Sequence, residues 1–189
     1  DPEEVRAFLM GYFALARETI ERFGGVVDKF IGDAVMAVWG AVTAREDDAE
    51  RAVRAGLELA GSIPKLGSGI DLPALAVRVG ILTGEAAVGP GGNERGLVVG
   101  DLVNTASRFE SSANPGEILI SEDTYNALPD KSEFYARFDR EVTLKGKSMP
   151  FNAFIVFWDP KEVERDRNRP AETAPARPAT PAWKLALYV

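Results

Sequence analysis

The chain has 189 residues, 46% of them hydrophobic, which suffices for one sizeable core and leads to the expectation of a single domain with a tail. It contains no cysteine and no histidine, which excludes a disulfide framework, the usual zinc sites, a thiolate nucleophile and an imidazole base. A net charge of −7 argues against a nucleic-acid partner, whose binding needs clustered positive charge, but is compatible with a small anionic substrate if metal ions supply a local positive field.

No stretch approaches the roughly twenty uninterrupted apolar residues of a membrane span. The acidic, amphipathic start does not have the form of a signal peptide. The expectation is a soluble, cytoplasmic protein, or a soluble piece of one, without direct membrane contact.

Asp1-Pro2-Glu3-Glu4 has the form of a helix start, with a capping side chain, proline at the first helical position and glutamate at N3. Apolar residues at Val5, Phe8, Leu9, Tyr12, Ala16, Ile20 and Phe23 keep helical period until Gly24-Gly25, so an amphipathic helix is predicted to pack on a sheet. Two β-rich runs follow, Val26–Ile31 and residues 34–38, joined by Gly32-Asp33. A Gly-X pair between such runs predicts a tight hairpin, because glycine supplies the positive φ of a type II′ turn. Asp33 then stands at the tip, either as an ordinary turn residue or as a hard oxygen ligand for a divalent cation.

Glu46-Asp47-Asp48 opens a second helix with a narrow face of small residues, predicted to stop at Pro64 and Gly67-Ser68-Gly69. Residues 74–82 and 85–88 are predicted strands around Thr83-Gly84, and residues 97–99 form a further short one. Asp101 is expected to cap a helix over residues 102–112, from which Asn104 and Arg108, spaced i,i+4, project on one face. A strand over residues 117–120, a short helix capped by Ser121, and strands over 140–144 and 151–158 complete the domain. The last two are joined through Lys145-Gly146-Lys147. This irregular alternation predicts an α+β fold with a mixed sheet against helices. From Pro160 on, five of the twelve prolines, mixed charge and few apolar residues predict a disordered tail or linker over 159–189, ending in WKLALYV, a segment that could dock on a partner.

KFIGDAVMAVWG, VRVGILTGEAAVG, GLVVGDLVNTASRFE, NPGEILIS and LKGK, in this order, resemble the catalytic domain of class III nucleotidyl cyclases, of a bacterial type, over residues 1–158. The resemblance implies a ferredoxin-like fold, head-to-tail homodimers, and conversion of ATP to cyclic AMP and pyrophosphate with two Mg²⁺ or Mn²⁺ ions at sites shared between subunits. It also implies roles: Asp33 matches one of two metal-binding aspartates, Asn104 orients the ribose, Arg108 stabilises charge on the α-phosphate, and Lys145 contacts the triphosphate. Lys29 matches the residue that reads adenine. Each of these types suits its task, since a guanidinium is always charged and offers a planar fork of donors. Taken singly, Asn104 and Arg108 also fit a solvated helix face, Lys29 a residue of an edge strand, and Lys145-Gly146-Lys147 an ordinary turn.

Two positions depart from the pattern. The family's other metal aspartate lies on a strand before the first helix, and the sequence starts at that helix, so a fragment of a longer chain is expected. Leu97 falls where adenylyl-specific members place a hydrogen-bonding residue, and leucine supplies none. The leading expectation is an adenylate cyclase catalytic domain. A catalytically weak cyclase-homology module for nucleotide sensing or dimerisation is the alternative, and a diguanylate cyclase lacks its GGDEF-like signature.

Overall fold

The computed structural model of the chain describes residues 2–66, 75–88, 98–170, 172–175 and 185–188. Helix α1 (Pro2–Arg22) leads into the hairpin of β1 (Val26–Ile31) and β2 (Ala34–Trp39), and then into α2 (Asp48–Leu66). Strand β3 (Val79–Thr83), the small ribbon of β4 (Ala87–Val88) and β5 (Val98–Val99), and helix α3 (Asp101–Glu110) follow. The rest comprises β6 (Ile118–Ser121), α4 (Glu122–Asn126), β7 (Ala136–Val142), β8 (Phe151–Val156), α5 (Pro160–Arg167) and β9 (Leu185–Tyr188).

Seven strands form the main sheet in the order β1-β2-β9-β3-β6-β8-β7. The β3–β6 pair is parallel and the others are antiparallel, so the sheet is mixed and the fold α+β, as expected. No described helix is long and apolar enough to cross a membrane.

Period-two alternation in β2 sends its side chains to two cores. Val35, Ala37 and Trp39 join α1 and α2 on one face, while Met36 and Val38 join α3 on the other. Trp39 is fully buried, and its Nε1–H donates to the Phe23 carbonyl at 3.0 Å, tying the end of α1 to the sheet. The α1 stripe packs as predicted at Tyr12, Ala16 and Ile20, but Val5 in the first turn is exposed. On the other face α3 lies close over β3, because Gly80 has no side chain. A Cβ there would stand 2.7 Å from the backbone nitrogen and Cα of Glu110.

Three expectations are corrected. Pro64 lies inside α2, which runs on to Leu66; so near the C-terminus the missing N–H costs only one bond of the last turn. The N-cap of α3 is Gly100, without a side-chain cap, and Asp101 is its first helical residue. The segment from 159 onward contains ordered structure. Asp159 caps α5 by accepting from the Lys161 N–H with Pro160 in the first turn, and β9 pairs between β2 and β3 at the centre of the sheet.

Candidate active site

The β1–β2 hairpin closes as predicted through Gly32, at φ 63°, and holds Asp33 exposed at its tip. Asp33 lines a cavity of about 270 Å³, together with Tyr12 of α1, Arg78 before β3 and Glu110 at the end of α3, over an apolar floor that includes Phe8, Leu9 and Ile63. Arg78 Nε lies 3.4 Å from Glu110 Oε1. Burial pushes the Glu110 carboxyl above its usual range, the Arg78 charge pulls against it, and the Asp33 charge adds to the rise. The Tyr12 hydroxyl is pushed well up, first by burial and then by the charges of Asp33 and Glu110.

A second group assembles on the far part of α3. Asn104 and Arg108 are exposed on one face of the helix, while Thr105, Ala106 and Phe109 are buried beneath it. Leu144 is buried in the same core and anchors the turn between β7 and β8. The Lys147 N–H donates to the Leu144 carbonyl at 3.0 Å, and Gly146 takes φ 85°, as the third position of a type II turn requires. The turn meets α3 twice: Arg108 Nη1 donates to the Lys145 carbonyl, and Lys147 Nζ pairs with the Asp101 carboxylate. Lys145, itself exposed, therefore sits in a turn packed against the α3 face that carries Asn104 and Arg108.

Lys29 lies on β1, an edge strand, beside a register shift between Val27 and Lys29. Its Nζ lies 3.3 Å from the buried carboxylate of Asp28, and the Lys29 side chain is about one-third exposed. Leu97 lies outside the described residues.

The Lys145 turn thus lies against the α3 face that carries Asn104 and Arg108, whereas Asp33 lines the cavity shared with Tyr12, Arg78 and Glu110. From helical period alone Tyr12 belongs to the core stripe, and no sequence motif singles out Arg78, Glu110 or Lys147 as part of a site. Only the i,i+3 and i,i+7 relation of Asp101 to Asn104 and Arg108 hinted at a shared face.

Residues 1–158 match the family of adenylate and guanylate cyclase catalytic domains. The chain belongs to that family. This cyclase domain is 35% identical over 170 residues to the terminal-differentiation specific adenylate cyclase of Dictyostelium discoideum, a match covering 86% of the chain but only 8% of that relative. Among solved structures it is similar to the guanylyl cyclase Cya2 (36% identity, TM-score 0.73, 82% of this chain and 81% of that one). It is also similar to the adenylyl cyclase CyaB from P. aeruginosa (30% identity, TM-score 0.76, 83% and 84%). The relatives therefore include both adenylyl and guanylyl cyclases, and the cyclase fold of this domain is established independently of its base.

The donors present suit a hard divalent ion. Mg²⁺ is commonly held by one or two carboxylates plus substrate phosphates, and Asp33 offers an exposed carboxylate at the hairpin tip. Among the described residues no group of three or more acidic side chains converges, and β9, beside the strand that follows Asp33, has no carboxylate in its Leu-Ala-Leu-Tyr sequence.

Proposed function

We propose that this domain is an adenylate cyclase catalytic domain, converting ATP to 3′,5′-cyclic AMP and pyrophosphate at sites built between two head-to-tail subunits. The observation that carries the proposal is the docking of the Lys145 turn on the exposed α3 face of Asn104 and Arg108, none of which lines the cavity that holds Asp33. A triphosphate needs both settings. A C₂ pair supplies them by setting the α3 face of one chain against the hairpin tip of its partner.

In this reading the ribose 3′-oxygen attacks the α-phosphorus while the bond to pyrophosphate breaks. Arg108 donates to the α-phosphate oxygens as negative charge builds there, and its fixed fork makes this preorganised electrostatic stabilisation. Asn104, one turn earlier, orients the ribose, and Lys145 holds the outer phosphates. Divalent ions, Mg²⁺ or Mn²⁺, held by Asp33 would lower the basicity of the attacking oxygen and offset phosphate charge. Lys29 donates to the adenine edge, whereas a guanine in the same pose would leave an unmatched polar contact.

A weak cyclase-homology module for nucleotide sensing or dimerisation is the second reading, favoured by the carboxylate-free strand β9 next to the metal-side hairpin. Incubation of the protein with ATP or GTP and Mg²⁺ or Mn²⁺, with cyclic AMP and cyclic GMP measured separately, separates the two. Cyclic AMP in excess, abolished by chelator, supports the first reading. Nucleotide binding without either product supports the second, and cyclic GMP in excess overturns the assignment of ATP.

A further inference from the structure

We propose that the Asp101–Lys147 ion pair is a latch that sets the position of the β7–β8 turn along α3, and that both residues are positioning residues for Arg108 and Lys145. Resting on the cyclase reading above, this assigns to its site two side chains that lie one step behind the substrate.

Asp101, Asn104 and Arg108 occupy positions i, i+3 and i+7 of α3 and so share a face about 10 Å long, at 1.5 Å per residue. The turn lies along that face. Its inner end is fixed by buried Leu144, and Lys145 gives its carbonyl to Arg108. Its outer end is held by Lys147 on Asp101. Without that second tie the turn could pivot about Leu144, carrying away both the amine of Lys145 and the carbonyl that orients the Arg108 fork. Two cations are tied down here, Arg108 on the Lys145 carbonyl and Lys147 on Asp101, and exposed Lys145 belongs to the turn that joins these two ties. The carboxylate engages the one cation that the proposed site does not use and leaves the other two for phosphate.

Asp101 is 72% exposed and Lys147 28% exposed, so the pair adds little to stability. Its effect is on placement, to which catalysis is far more sensitive than folding is. Lys147→Met and Asp101→Asn should each lower kcat by about three- to fivefold, the bias that exposed ion pairs provide. Apparent KM for ATP should stay within about twofold, because Arg108 acts on charge that develops only in the transition state. The Tm should not move.

The test is a double-mutant cycle on the full chain, scored by cyclic nucleotide formation and Tm. A parallel readout independent of activity follows acetylation of Lys147 by acetic anhydride, with Lys161 as the reference. The proposal is supported if the double variant loses no more than either single variant, if Asp101→Glu with Lys147→Arg retains the wild-type kcat, and if Asp101→Asn speeds acetylation of Lys147 relative to Lys161. It is overturned if the single losses multiply, if kcat is unchanged, or if Lys147→Met raises KM instead, which would make Lys147 a phosphate ligand. Should the wild-type chain form no cyclic nucleotide, the cyclase reading fails, and the acetylation arm alone decides the latch: an unchanged Lys147 rate overturns it.

Discussion

The hairpin tip and the α3 face carry opposite charge and are held in opposite ways. Asp33 is fixed by backbone. Its position follows from a two-residue turn and from β2, whose residues from Val35 to Trp39 are buried. Arg108 and the turn of Lys145 are held by side-chain contacts between two elements far apart in sequence, Arg108 on the Lys145 carbonyl and Lys147 on the Asp101 carboxylate. A metal ligand tolerates backbone fixation because the ion adjusts around it, whereas a guanidinium must be aimed. In the proposed cyclase site, the difference would assign rigidity to the side offered to metal and adjustable orientation to the side offered to phosphate.

The strongest way to break this comparison is to remove each half. Asp33→Ala and Arg108→Ala should each lower cyclic AMP formation by about a hundredfold or more, with little change in Tm because both side chains are exposed. Mixed under conditions of subunit exchange, the two variants should recover about a quarter of wild-type activity, since about half the dimers become mixed and each of those has one intact site. No recovery after confirmed exchange would show that the two halves do not meet between subunits.

Gly80 sharpens the comparison because it seats α3, the helix that supplies Arg108 to one setting and Glu110 to the other. Gly80→Ala should destabilise the domain by about 1–3 kcal/mol in urea unfolding, since backbone rather than a yielding side chain opposes the new methyl. An unchanged unfolding midpoint would mean that α3 moves freely on the sheet.

Lys29→Glu, on the same hairpin as Asp33, should lower kcat/KM for ATP relative to GTP by about tenfold without a full switch, as measured with both nucleotides. Equal ratios in wild type and variant would free the hairpin of any role in reading the base.

The smallest effect concerns Glu110. Its carboxyl is held above the ordinary value of 4.5, mainly by burial. Between that value and its raised folded value the native state binds more protons than the unfolded one, so its contribution to stability falls as pH rises through this window. Glu110→Gln should remove that fall, and the Tm difference between variant and wild type should grow in the variant's favour as pH rises above 4.5. A pH-independent difference would mean that the Glu110 charge carries no net cost beside Arg78.

Much of this was legible in the chain because it is encoded locally. Gly32-Asp33 specified its own turn, the apolar period of α1 its buried face, and the i,i+4 spacing the pairing of Asn104 with Arg108. The cavity around Asp33 was not legible, because Tyr12, Arg78 and Glu110 reach it from three elements brought together only by packing. Tyr12 is in fact buried as its period required; the period is silent about the hydroxyl at its end. Helix α5 did carry a signal. Asp159-Pro160 repeats the cap-and-proline start of Asp1-Pro2, but the proline-rich average of the segment concealed it. Strand β9 is only four residues long, too short for alternation to declare which sheet position it takes.

That strand has a kinetic meaning. Among the described strands, β9 alone joins the β1–β2 hairpin to the four-strand block of β3, β6, β8 and β7. Its pairs with Met36 and Gly80 span about 150 and about 110 residues of chain, so closing the sheet brings together some of its most distant partners. Until β9 arrives, the backbones of β2 and β3 present two long apolar edges with open hydrogen-bonding groups, the surfaces on which partly folded chains associate. Refolding of this chain should therefore proceed through two preassembled halves with sticky inner edges, and its yield should fall with protein concentration more steeply than its native stability would suggest.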